Sequence, residues 1–458
     1  MILMRYLIFY SVILITSFIS IGCVSYDNDI AEPSADKYSA AHPAGNKPAQ
    51  APMERALDLE IKSLSIEEAI NLAILHNPSL KAGEKDIDAA SARIIQAKLW
   101  PNPSLFMETS DGRKKSYGFG GDYKSVIGVS QPIVLGGKIE ASTKLARKDK
   151  EMELANYEQL LRETIARVKS IFIRILASQE LVKAAASNLE IARNIFKSAQ
   201  ARVEAKAASE IEKIKTEIEL AQAELDLANA ENELFRAQKE LCAILGNLDI
   251  KIENYNGALS DGFALLDNKK TEESIISDYP EIIKSKKARE YAGSRLTLTK
   301  TQRYPDIELG LGAGKQRGDV EEADSIEWSL NIPLPLFDRN QGSIRESKAL
   351  FDKADREYEN TLNRILLEAK NTLFLFNTLV IQAKSYKEKI MPQAEKSLAL
   401  VSEGYQAGKF TYLDLLDAQR TLSQTKQSYI NLLRDLNMSA TDIERLTGQA
   451  INKFNKEN

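Results

Sequence analysis

Few side chains in this 458-residue chain are of types that do chemistry, and their spacing says what they serve. Two histidines, His42 and His76, and two cysteines, Cys23 and Cys242, cannot build a His- or Cys-rich metal centre or a disulfide framework. Acidic pairs abound, as in Glu321-Glu322, but on expected loops and solvated helix faces without a partner for acid–base work. Gly310-Leu311-Gly312-Ala313-Gly314-Lys315 evokes a phosphate loop, yet Leu309 stands where the first Gly belongs and Gln316 where Ser or Thr does. That stretch reads as a strand. Ser209-Glu210-Ile211-Glu212 and Thr411-Tyr412-Leu413-Asp414 each fit a capping box, in which hydroxyl and carboxylate satisfy the first amides of a helix. No catalytic constellation emerges, so the chain reads as a non-enzyme without a cofactor or resident metal.

The elements that position these residues are long. Gly (22) and Pro (13) are scarce, and 61 Lys plus Arg against 65 Asp plus Glu leaves no cationic excess for nucleic acid. Arg5 precedes an apolar run from Leu7 to Ile21, the length of a secretory h-region, so residues 1–22 are expected to be a signal peptide. The run closes Ser20-Ile21-Gly22-Cys23, which resembles a bacterial lipobox with Ser20 at the usual Leu position. Cys23 is then the expected site of lipid attachment, the alternative being an ordinary signal with an incidental cysteine. Residues 23–60, Ala/Pro-rich from 31 to 53, read as a flexible tether.

Landmarks then recur at an offset of about 200 residues. Asn77-Pro78 answers Tyr279-Pro280, Trp100-Pro101 answers Tyr304-Pro305, Pro132 answers Pro333, and Leu245-Gly246 answers Thr447-Gly448. Two repeats are expected, 61–250 and 251–458. In the first, apolar residues from Leu154 to Val203 step by three and four through Val168, Ile171 and Ile175, a heptad seam on a helix of roughly 70 residues or about 105 Å. A return helix carries Ile211, Ile214, Ile218, Leu225 and Phe235. A helix over 65–99 precedes the strands, and together the two shorter helices match the long one. The second repeat has Leu362, Leu366, Ala369, Leu373, Phe376, Val380 and Ala383 on its long helix, where Pro392 should produce a kink. Its return helix carries Leu415, Ala418, Leu422, Thr425, Tyr429, Leu432 and Leu436. Each repeat also holds two strands. Ile307, Leu309, Leu311 and Ala313, then Ile326, Trp328 and Leu330, alternate with polar or small residues, while Val126 interrupts the polar face of the first pair. Such strands suit either a membrane wall or a sheet half-buried on helices.

Two such repeats behind a secretory or lipoprotein signal resemble the TolC family of outer-membrane efflux channels over roughly residues 61–448. Ile332-Pro333-Leu334-Pro335-Leu336-Phe337-Asp338-Arg339-Asn340-Gln341-Gly342 looks most like the branch serving cobalt/zinc/cadmium-type cation efflux. The resemblance implies a mainly α chain with a transmembrane β-barrel: a long antiparallel coiled-coil α-barrel and four strands per chain. It implies a homotrimer in the bacterial outer membrane, in contact with its lipid and extending into the periplasm, where it serves an adaptor (membrane fusion) protein and an RND-type inner-membrane pump. It places Asp414 and Asp417 at the pore constriction, Tyr405, Gly408, Lys409 and Phe410 beside the gate, and Ala207, Ser209, Glu212 and Thr411 at the adaptor-docking tips. Phe410 stands where the archetype has its gating arginine, and Lys206 where the second hairpin has Gly408. The rival reading is an exported coiled-coil lipoprotein acting as a structural adaptor or scaffold.

Overall fold

Ser65 opens the first helix with a complete capping box, its hydroxyl accepting from Glu68 N–H while the Glu68 carboxylate accepts from Ser65 N–H. The computed structural model describes residues 60–112, 122–206, 209–267, 279–317, 322–407 and 409–451, which fall in one contact unit, Leu57–Asn458. In order come β1 (Glu60–Ile61), β2 (Leu64–Ser65), α1 (Ile66–His76), α2 (Pro78–Lys98), β3 (Ser104–Gly112), β4 (Asp122–Ile133), α3 (Lys138–Glu204) and α4 (Glu210–Ile244). Two short strands follow, β5 (Lys251–Ile252) and β6 (Tyr255–Asn256), pairing in parallel with β1 and β2. The second repeat has α5 (Pro280–Thr301), β7 (Ile307–Arg317), β8 (Glu322–Asn331), α6 (Gln341–Ser385), a π-helical turn (Tyr386–Ile390), α7 (Met391–Gln406) and α8 (Tyr412–Thr447).

The helix expected over 65–99 is broken. Pro78 drives Asn77 into an extended conformation (φ −62°, ψ 121°), and the Asn77 side chain caps α2 by accepting from Ser79 and Leu80 N–H. Its amide also donates to Ile244 O at 2.9 Å, at the end of α4. Gly246, at φ +85°, completes this joint: a Cβ there would lie 2.7 Å from His76 O. The second repeat builds a joint at the matching place, where Arg445 on α8 bonds the Tyr279 hydroxyl at the start of α5. Two of the four sequence landmarks thus prove to be the two sides of one device, the end-to-end meeting of short helices alongside a long one.

At 67 residues α3 is about 100 Å long. It packs against α1, α2 and α4 on one side and α5 and α8 on the other, and α6 and α7 lie beyond these. Four staves result. Enclosure on two sides explains why Val168, Ile171, Phe172, Ile173, Ile175, Leu176 and Ala177 are buried around most of the α3 circumference, where the heptad pattern marked one face. The expected seam on α6 is buried or half-buried as read. The one on α4 is not: Ile211, Ile214, Ile218, Leu225 and Phe235 are exposed, Ile211 at 65%. A second line, Thr216, Leu220, Ala223, Leu227, Ala230, Leu234, Ala237 and Leu241, turns inward instead. Helix α4 has two apolar stripes, and the smaller residues win the close contact with α3.

Pro392 is accommodated by the π-turn, in which Met391 N–H reaches back five residues to Tyr386 O. The widened turn spares the ring its collision with the carbonyl four residues earlier. Between the repeats, residues 257–267 run as a strap held by two asparagines. Asn437 exchanges two hydrogen bonds with the Ser260 backbone, and Asn377 does the same with Leu266. Asp261 accepts from Tyr429 and pairs with Lys387 on the π-turn at 2.6 Å, which holds its carboxyl below the usual range.

Candidate functional site

The two hairpins form one antiparallel sheet in the order β3-β4-β7-β8. Its strands are 9, 12, 11 and 10 residues long, near the nine to eleven a tilted strand needs to cross a bilayer. Register puts Leu105 and Met107, Ile127 and Val129, Leu309 and Leu311, and Ile326, Trp328 and Leu330 on one face, Trp328 at 80% exposure. The opposite face carries Glu108, Lys124, Ser130, Glu308, Ser325, Glu327 and Ser329 around a track of Gly128, Gly310, Gly312 and Gly314. Val126 is no defect in it. Its methyls lie over Gly312, where a Cβ would come within 2.8 Å, and Phe106 covers Gly128 and Gly310 in the same way. Ser130 donates to Glu308 at 2.7 Å, and Lys124 reaches across β7 to Glu327. Edges β3 and β8 have no partner strand among the described residues.

At the far end lie the helical turns. Thr411 caps α8 with the full box, Asp414 accepting from Thr411 N–H at 2.8 Å and from its hydroxyl at 2.6 Å. Those bonds hold the Asp414 carboxyl below its ordinary range, so it is ionised at neutral pH. Asp417 lies one turn on along the same exposed face, opposite buried Leu415, Leu416 and Ala418, and meets no cation among the described residues. The first hairpin departs from the expected box. Ser209 still accepts from Glu212 N–H, but the Glu212 carboxylate turns to Arg202 at 3.3 Å. Arg202 also donates to the Tyr405 hydroxyl, with its guanidinium carbon 5.4 Å from the Tyr405 ring centroid. One arginine therefore ties the end of α3 to the start of α4 and the end of α7. Beside it Tyr412 is buried, and burial first, then Glu212 and Tyr405, push its hydroxyl up to about 12.

Phe410 performs no such role. Its ring lies on Gly404, where any Cβ would overlap it, and the tip arginine that the structure shows is Arg202 of the other hairpin. Lys206 takes φ +60°, a left-handed conformation that a glycine adopts more readily. Lys409 is exposed, its N–H donating to Gly404 O at 2.8 Å. Cys23, Ala207 and Gly408 lie outside the described residues. The helix starts near the sheet differ between the repeats: Gly136 and Gly137 have positive φ in the first, whereas in the second the left-handed residue is Asn340, not Gly342. Arg202 is the residue the sequence reading missed. Its only signal was a cation shortly before a hairpin whose far helix carries Glu212 in its first turn.

The chain matches the family described as outer membrane efflux protein over residues 69–247 and 273–449. The cobalt-zinc-cadmium resistance protein CzcC of Cupriavidus metallidurans is 32% identical over 389 residues, which are 84% of this chain and 90% of that protein. Among solved structures, CusC aligns with a TM-score of 0.71 at 16% identity, covering 88% of this chain and 98% of its own. The Campylobacter jejuni CmeC outer membrane channel aligns at 0.69 and 18%, covering 86% and 88%.

Proposed function

Because this chain belongs to the outer membrane efflux protein family, a family of channels rather than enzymes, we propose that it is the outer-membrane conduit of a tripartite heavy-metal cation efflux system. The observation that carries this reading is an open sheet with an oily face, a polar one and two edges that have no partner strand among the described residues. Transmembrane barrels start at eight strands, so four must be completed by other copies, and three copies give twelve. The helix flanks agree. The outermost staves carry exposed apolar stripes, Ile211, Ile214, Ile218 and Leu225 on one side and Leu367, Phe374, Leu375 and Ile381 on the other, as a ring of copies requires. A scaffold would have no use for Trp328 and its neighbours facing outward.

In this reading the oily face meets outer-membrane lipid and the helices enclose a periplasmic tunnel. The turns around Ser209, Glu212 and Thr411, with Ala207, receive a periplasmic adaptor that links the channel to an RND-type inner-membrane pump. Cys23 carries the lipid anchor, and an intact mass of the mature chain that lacks a diacylglycerol addition would exclude it. The Arg202–Tyr405 latch holds the tip closed, and Asp414 and Asp417 ring the constriction, where three copies of each carboxylate attract cations. Reconstituted in planar bilayers, the purified protein should give cation-selective single-channel steps. Asp414→Ala with Asp417→Ala should reduce that selectivity and weaken block by divalent cations. Unchanged selectivity and block in a folded variant would make the pair helix-end residues only.

A further inference from the structure

Inside the chain, the exit of one hairpin is seated on the entry of the next. The Tyr304 ring, just before β7, lies so close to Gly136, just after β4, that a Cβ there would come within 2.7 Å of Tyr304 Cδ2. Asp306 reinforces the joint, accepting from Leu135 N–H at 3.0 Å and pairing with Lys138 at 2.7 Å. The repeat offset supplies a second set of the same parts. Trp100 answers Tyr304, Asn102 answers Asp306, Leu336 answers Leu135, and Phe337 answers Gly136. These parts do not meet within one chain, because the first pair precedes β3 and the second follows β8, the two opposite edges of the sheet. All are exposed, Trp100 at 58%, Leu336 at 65% and Phe337 at 92%.

Edge geometry says where they meet. Strand β8 runs toward the helices and β3 away from them, so β8 of one copy pairs antiparallel with β3 of the next. The chain leaving β8 at Asn331 then arrives beside the chain entering β3 at Ser104. We infer that Leu334, Leu336 and Phe337 of one copy pack on Leu99 and Trp100 of the next, the inter-copy counterpart of the Tyr304–Gly136 seat. The polar half of the internal joint is not copied. Leu336 N–H turns back to Leu334 O at 2.8 Å, and Asn102 has no charge to offer Arg339. The joint between copies is apolar, and Phe337 supplies the bulk that Gly136 lacks.

This inference rests on the trimer of the proposed function, and its test separates the two. The full chain carrying Trp100→Cys and Leu336→Cys is treated in membranes with a short thiol crosslinker and run on denaturing gels, unheated and heated. Its native Cys242 is buried. Dimer and trimer bands that survive heating only when both substitutions are present support the seat. A trimer on the unheated gel that falls entirely to monomer on heating, crosslinker included, overturns the seat and leaves the channel standing. A monomer on both gels overturns both. Phe337→Asp, at a side chain the single chain leaves in solvent, should lower the temperature at which the trimer dissociates. An unchanged dissociation temperature with easier release from membranes by alkaline wash would assign the segment to lipid and overturn the seat.

Discussion

Arg202→Ala should raise the open fraction of the channel by about a hundredfold. Arg202 bonds the first hairpin, through Glu212, to the second, through Tyr405, so its loss removes a charged hydrogen bond, an ion pair and a ring contact together. Such a bond in a buried setting is worth about 1.5–3 kcal/mol. The Arg202 side chain is 42% exposed, so solvent screening brings the figure to about 1 kcal/mol per copy. Three copies that open together sum to about 3 kcal/mol, and each 1.4 kcal/mol is a factor of about ten. Single-channel recordings measure this directly. Tyr405→Phe, which keeps the ring but not the hydroxyl, should fall between the two. An Arg202→Ala channel as closed as its parent would mean that the tip is held by contacts between copies.

Phe376→Ala should cost the folded chain about 3–5 kcal/mol. Phe376 on α6 is fully buried with Leu373, Leu379, Leu432, Leu436 and Ile443, and meets Phe263 of the strap edge-on at 5.7 Å. The truncation leaves a cavity and loosens the strap at once. Denaturant unfolding followed by helical circular dichroism, at fixed protein concentration because copies associate, should show the shift. A loss below about 1 kcal/mol would mean that this cluster relaxes around the gap and does not hold the second repeat together.

How much of this was legible from residues alone depended on whether one chain or several had to satisfy them. The repeat, the four strands, the long helix and the capped turn at Thr411 follow from local patterning, and the structure contains them. The stripe on α4 was misassigned because a stave must be apolar on two sides, and Ile and Leu outshout the Thr, Ala and Leu line that packs on α3. The break at Asn77 was in plain view as an X-Pro step, but uninterrupted apolar spacing on either side masked it. Asn377 and Asn437 gave no signal, since a side-chain amide that mimics a strand edge looks like any other polar residue on a helix. Arg202 was hidden because its partners lie 10 and 203 residues away in the chain. Ser209-x-x-Glu212 met the capping rule in letters, and competition from Arg202 for the carboxylate decided otherwise.

In the proposed function this chain makes a channel only by completing its sheet with copies of itself. The mass of the detergent-extracted, full-length protein measured under native conditions tests it most directly. Three copies per particle is the predicted result. A single copy, with its sheet edges open and its chain folded, would contradict it.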